Sequence, residues 1–382
     1  MILRKGTLAM MSSETLAPPA GRRAFPCPAC GAAMAFDPAR MALACAACGH
    51  ARQLPEPGAD ARAQALREQD YLEALRRLAA REPALEARVV DCPSCGAQTR
   101  FEGHVVGDRC AFCASPLLLD RARVERLIRP QAVLPFALDK AAAQRVFAQW
   151  VRSRWFAPRA LQATVRQADG VKGVYMPWWT YDANTVTTYR GERGVQRRVA
   201  EARPNASAQA GAATTRVVTD WFPVSGAAAA TFDDLLVTAS PSVPPHLAHV
   251  LDRWDLQRLR PPADEMLAGF TVEVYRTGLE AGFGQAQQRM QPTIDAAIRR
   301  DIGGDVQRIH AKQTAIDDIR FKHLLMPVWI GSYRFRGKPY QVVINGHSGE
   351  VEGDRPWSAG KIALALIAAL AVLLLLWSMQ QA

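Results

Sequence analysis

The clearest pattern lies near the end of the chain, where residues 362–379 read IALALIAALAVLLLLWSM, with no charge and Ser378 as the polar position. A run of this length, at about 1.5 Å per residue, reaches about 27 Å, close to the thickness of bilayer hydrocarbon. No polar face interrupts it. It therefore predicts a helix over residues 359–379 that crosses a membrane rather than lying on its surface. Trp357 and Trp377 sit near its two ends, where interfacial aromatics belong.

Elsewhere the apolar positions recur at shorter periods. Val146, Phe147, Trp150 and Val151 share one face of a helix expected over residues 139–155, with Asp139 as its cap. Leu279, Phe283, Ala286, Met290, Ala297 and Ile298 do the same over residues 277–300, with a kink expected at Pro292 and a stop at Gly303-Gly304. A rougher stripe (Ala65, Leu72, Leu75, Leu78) predicts a solvated helical spacer over residues 60–80. Strands are expected over residues 216–226, 230–239, 327–335 and 339–344. The last two are joined by a turn at Arg336-Gly337-Lys338, and Asn345-Gly346 marks another tight turn. Two Met-Pro-x-Trp motifs, Met176 to Trp179 and Met326 to Trp329, lie 150 residues apart. Each follows a helix and precedes a turn ending in Arg-Gly (Arg190-Gly191, Arg336-Gly337), which suggests an internal repeat. Residues 1–24 are expected to be disordered and residues 206–213, rich in Ala and Gly, to form a mobile loop.

The eight cysteines fall into two groups, Cys27, Cys30, Cys45, Cys48 and Cys92, Cys95, Cys110, Cys113, both spaced C-x2-C-x14-C-x2-C. A C-x2-C turn places two thiolates on one side of a tetrahedral ion, and the intervening segment is long enough for a hairpin to return the second pair. Both groups open with Cys-Pro-x-Cys-Gly, where glycine lets the backbone fold under the metal. Met34, Phe36, Met41 and Leu43, and Phe101, Val105 and Val106, fit the hairpin strands. Disulfides suit a secreted domain, but no export signal is evident and the spacing occurs twice. The expectation is two zinc ribbons with two structural Zn²⁺ ions, each too small to hold itself without metal. His50 is read as a surface residue beside the first set rather than a ligand.

The net charge of +11 hints at an anionic partner but is not concentrated: residues 21–134 carry 16 Arg against 13 Asp and Glu. No basic stripe of the kind that grips DNA emerges. Arg355 and Lys361 precede the apolar run, which predicts a single-pass protein of the inner, cytoplasmic membrane with its bulk in the cytoplasm. No G-x-x-x-x-G-K-[ST], G-x-S-x-G or H-E-x-x-H occurs, and Gly282-Phe283-Gly284 lacks the third glycine of a dinucleotide fingerprint. Asp233-Asp234 and Asp317-Asp318 are sequence neighbours that a regular strand sends to opposite faces. Asp301 and Asp305 are read as solvated acids ending a helix, His310 as structural, and Tyr175, Trp178, Trp179 and Tyr181 as core. No catalytic or cofactor-binding residue is assigned.

Beyond the ribbons, the segments Met176 to Asp182, Gly191 to Gly194, Phe232 to Val237, Trp254 to Leu256, Asp301 to Asp305, Phe321 to His323 and Asn345-Gly346 occur together with the terminal anchor. This combination resembles the bacterial TFIIB-type zinc-ribbon membrane proteins, often labelled primosomal protein N′ (replication factor Y) or superfamily II helicase. The resemblance spans residues 25–379. It implies a membrane partner system in which relatives sit beside a phage-shock-type peripheral protein and an SPFH-domain scaffold, which they help recruit to stressed membrane. The expected fold is α+β: ribbon 25–52, helical linker 53–90, ribbon 91–116, a duplicated antiparallel-sheet domain 117–358 and a membrane helix 359–379. The expected function is a non-enzymatic, membrane-anchored adaptor that docks protein partners. A membrane-tethered nucleic-acid-binding protein is the alternative.

Overall fold

A computed structural model describes residues 25–80, 85–100, 109–117, 121–158, 170–200 and 215–381. The expectations for residues 1–24, for Phe101, Val105 and Val106, and for residues 206–213 lie outside the described residues. The first ribbon is a three-stranded sheet of β1 (Met34–Asp37), β2 (Ala42–Cys45) and β3 (Ala51–Gln53) in sequence order. It does not stand alone. Phe36 N donates to Ala268 O at 2.9 Å, and the Phe36 ring meets Phe270 edge-on at 6.4 Å.

Residues 60–80, expected as one solvated helix, divide into α1 (Ala59–Leu66) and α2 (Tyr71–Ala79) around the short strand β4 (Gln69–Asp70). Asp70 caps α2 by accepting from Glu73 N, and Tyr71 is buried with its ring 4.8 Å from that of Phe283. Tertiary burial of one aromatic thus overrides the helix-favouring composition of the break. Next come β5 (Leu85–Asp91), β6 (Gln98–Arg100), β7 (Arg123–Leu127) and β8 (Ala132–Val133). The helix α3 (Lys140–Ser153) starts at Asp139, whose side chain accepts from Ala142 N at 2.6 Å.

The remaining strands are β9 (Val171–Ala200), β10 (Thr215–Thr238), β11 (Thr271–Glu273), β12 (Val306–Phe335), β13 (Lys338–Asn345) and β14 (Val351–Gly353). The helix α4 (Leu279–Ile302) precedes β12 and α5 (Ala359–Gln381) follows β14. Strands β4 to β14 make one sheet whose main path is β14-β13-β12-β9-β11-β6-β5-β7, with β10 on β9. The second cysteine group therefore rides on strands of the main sheet, since β6 pairs with both β5 and β11.

Two of the strands run far longer than their local patterns suggested. The stretches expected at 216–226 and 230–239 fall in one strand, Thr215–Thr238, with Ala239 just past its end, and Arg190-Gly191 lies inside β9 rather than in a turn. Gly191 is needed for close approach, because a Cβ there would lie 2.2 Å from Arg308 O. Arg336-Gly337, by contrast, is a turn, with φ of 50° and 79°.

The centre of the sheet is the antiparallel pair β9 and β12, where Met176 stands opposite Met326. The surroundings of the two Met-Pro-x-Trp motifs correspond. Pro177 O accepts from Ala239 N at 3.0 Å and Pro327 O from Gly346 N at 2.9 Å. Trp179 Nε1 donates to Thr277 O and Trp329 Nε1 to Leu138 O, each carbonyl two residues before a helix. Along β9, residues 174–183 are buried on both faces. Met176 and Trp178 face the second cysteine group and the segment 243–259; Tyr175 faces α3 and the first ribbon. Trp179 and Tyr181 face α4. Beyond residue 183 the burial alternates, with Thr185, Thr187, Tyr189 and Gly191 inward and Asn184, Val186, Thr188 and Arg190 exposed, so this three-stranded arm is covered on one face.

Helix α4 ends at Gly303 and Gly304, both at positive φ. Pro292 lies within it. The helix α5 has a most apolar window of mean hydropathy 2.7, none of it buried against the body. It is long and apolar enough to cross a membrane.

Candidate metal centres

Each cysteine sits in a tight turn of the same construction. Gly31 N donates to Cys27 O at 2.8 Å, Gly49 N to Cys45 O at 2.9 Å, Gly96 N to Cys92 O at 2.9 Å and Ala114 N to Cys110 O at 3.0 Å. Each turn needs a left-handed residue. Glycine supplies it three times, at φ of 74°, 76° and 70°, and Ala114 adopts it at 59°. The first cysteine of each turn also donates its N–H one residue past that glycine or alanine: Cys27 to Ala32 O, Cys45 to His50 O, Cys92 to Ala97 O and Cys110 to Ser115 O.

These turns bring the sulfurs together in two sets, Cys27, Cys30, Cys45, Cys48 and Cys92, Cys95, Cys110, Cys113, each with its sulfurs within 4.8 Å of one another. The Cys27–Cys48 and Cys30–Cys45 separations are 3.5 Å, and those of Cys92–Cys113 and Cys95–Cys110 are 3.5 and 3.7 Å. A zinc–sulfur bond of about 2.3 Å makes a tetrahedron with edges of about 3.8 Å. Both groups can hold a metal ion, and their size suits structural zinc. The eight sequence-predicted ligands are thus gathered as two closed sets; His50 is exposed and belongs to neither.

The surrounding dipoles favour thiolate. Amides of Ala32, Cys48 and His50 donate to Cys30, Cys45 and Cys48, and those of Cys95 and Ala97 to Cys92 and Cys95. The Cys48 amide is the main reason the Cys45 thiol is lowered to about 7. A hydrogen bond from Cys110 lowers Cys95 to about 5 and pushes Cys110 up in return. Four sulfurs so close together cannot all ionise without a cation among them. Zinc, when bound, supplies that charge and cross-links the turns.

The other residues singled out by sequence fall elsewhere. Asp301 accepts from Tyr189 OH at 2.5 Å and Asp305 from Gln196 N at 2.6 Å, so both fasten the end of α4 to β9. His310 is exposed, 3.4 Å from Glu192. Tyr175, Trp178, Trp179 and Tyr181 are core. The two Asp-Asp pairs meet bulges in the ladders with β9: Asp233 and Asp234 interrupt that of β10, while in β12 Asp317 still pairs with Asn184 and the bulge is Asp318-Ile319, with φ of 50° at Asp234 and 46° at Asp318. At Asp233-Asp234 the bulge removes the regular alternation on which the opposite-face reading rested.

No family model and no solved structure matches this chain. A Bacillus subtilis (strain 168) protein described as "Uncharacterized protein YdjG" is 26% identical over 242 residues, covering 63% of this chain and 68% of that protein.

Proposed function

We propose that this chain is a non-enzymatic adaptor, held at the cytoplasmic face of a membrane by α5, whose zinc-ribbon body docks a protein partner. The observation that carries this reading is the join between the apolar helix and the body. Lys361 Nζ donates to Trp155 O and Ala157 O, each at 2.8 Å, and Ser358 N donates to Phe156 O at 2.8 Å. A helix clamped at its first turn makes the body a rigid fixture of the bilayer rather than a tethered float. Two structural Zn²⁺ ions complete that body, and sites closed by four thiolates leave no coordination position for a substrate. The resemblance to zinc-ribbon membrane proteins suggests a partner of the SPFH-domain or phage-shock type, in an envelope-stress response.

The body is itself an internal duplication, in which α3-β9-β10 and α4-β12-β13 are equivalent units. The Met176–Met326 pairing, the matched indole bonds and the matched proline carbonyls support this. An approximate two-fold axis passes between the two methionines.

Full-length protein solubilised in detergent is expected to purify with a stoichiometric protein partner and to show no DNA-stimulated ATP turnover. Turnover above about 1 per second that is lost on substituting one Lys or Asp of this chain would overturn the reading. Strongly salt-dependent DNA binding by the zinc-loaded protein would replace the adaptor with a tethered nucleic-acid binder.

A further inference from the structure

Where the covering of β9 gives way to the open arm, four carboxylates gather around one buried ammonium, and one of the four is itself buried. Asp182 of β9 is 9% exposed, and its Oδ1 accepts from Asp234 N at 2.5 Å. Its Oδ2 is buried with no hydrogen-bond partner. Facing it are Glu68, in the turn between α1 and β4, and Asp233, in the bulge of β10. One carboxylate oxygen from each of the three lies within 4.8 Å of the others. Two carboxylates meeting without a donor between them repel unless a proton or a metal ion intervenes.

The neighbouring cations are already engaged. Lys322, 4% exposed at its side chain, sits 2.6 Å from Asp234 and 3.0 Å from Glu68. Burial opposes its charge, but the two carboxylates more than offset this and hold it protonated. Arg320 pairs with Asp318 of the opposite bulge at 3.1 Å. Glu68, Asp182, Asp233 and Asp234 thus outnumber the one buried ammonium. Thr180, two residues earlier on the same face of β9, adds a buried Oγ1 with no partner.

We propose that Glu68, Asp182 and Asp233 form a site for a hard divalent cation of the calcium, magnesium or manganese class. Such ions take oxygen ligands at about 2.0–2.6 Å, so donors of one ion lie no more than about 5 Å apart. The three oxygens meet that limit with no zinc-like sulfur or imidazole among them. Asp233 is exposed, which leaves a route for the ion and positions for water ligands. The site ties α1-β4, β9 and β10 together at the root of the arm. A proton is the competitor: burial first, and Glu68 second, push Asp182 up to about 7. Cation affinity therefore falls as pH drops below that value. Glu68, Asp233, Asp234, Lys322 and Arg320 are the charged groups facing Asp182 from the elements packed on it.

The test is calorimetric titration of Ca²⁺, and separately Mn²⁺ and Mg²⁺, into zinc-loaded full-length protein in detergent. One saturable site per chain is expected for at least one of the three ions. Asp182→Asn and Glu68→Gln should each weaken it roughly tenfold or more, with zinc content unchanged. Asp317→Asn, an exposed carboxylate beside the other bulge, should leave the affinity intact. No saturable binding by the parent protein, or equal affinity in Glu68→Gln, whose side chain is partly exposed and spares the core, overturns the site.

Discussion

At the scale of single residues, the cysteine turns were written in the sequence down to their glycines, because a left-handed turn under a metal has few chemical solutions. Ala114 is the exception among them, an alanine at φ 59° where the other three turns use glycine. Left-handed backbone costs alanine about 1–2 kcal/mol, and glycine's extra unfolded-state freedom costs about 0.4–1. Ala114→Gly should therefore stabilise the protein by about 0.5 kcal/mol in chemical denaturation, and a lower midpoint would show the turn to be unstrained. His323 stood in the sequence only as part of the segment Phe321 to His323, with no sign of its burial. Burial lowers it to about 4, while Nδ1 faces Ile128 O at 2.9 Å and Nε2 has no partner. Because its folded pKa lies below the unfolded value near 6.5, this histidine costs nothing above that pH. Its neutral burial is penalised as pH falls toward 4, by roughly 3 kcal/mol in full. Since acid also strips thiolates, the readout is the difference between parent and His323→Gln across pH 7.5 to 4.5. The variant's profile should be the flatter of the two, and parallel profiles would refute the assignment.

At the scale of elements, helices were more legible than strands. Asp139 and Gly303-Gly304 announced the start of α3 and the end of α4, since caps are local chemistry. The reach of β9 and β12 was hidden, because a strand's continuation depends on partners distant in sequence. Gly191 looks like part of a turn, and Asp233-Asp234 like regular strand with its carboxylates on opposite faces, until a neighbouring strand presses on the one and the ladder bulges at the other. For the same reason Glu68 and Asp182, more than a hundred residues apart, gave no sign of meeting. The second cysteine group shows what such integration means for stability. Since β6 pairs with β5 and β11, removing its metal should loosen part of the main sheet and not a detachable finger. Zinc analysis should find two ions in the parent protein and one in the Cys92→Ser/Cys95→Ser double variant. Amide exchange in that variant should rise across residues 271–273, while β1 to β3 stay protected. Unchanged exchange there would mean that the sheet holds without its ribbon.

At the scale of the whole molecule, the apolar helix and the body are separable in sequence but joined in structure through Lys361. Deleting residues 359–382 should move the protein from the membrane pellet to the supernatant after an alkaline wash. A truncated form that still pellets would place the attachment elsewhere. Replacing Lys361 by Met should keep the protein in the membrane, because the apolar run is untouched. The join lies at the end of the sheet where β9 begins, as Phe147 of α3 packs at Gly331, opposite Val171. From there β9 runs 30 residues without interruption, its last stretch paired with β10 alone. At about 3.3 Å per residue a strand of that length spans up to about 100 Å, less what twist removes. The three-stranded arm beyond residue 183 takes up the outer part of that length. On the anchoring by α5 proposed above, its length would set a spacing from the lipid, and removing two residues from each of its strands would shorten it by about 7 Å while keeping the same face outward.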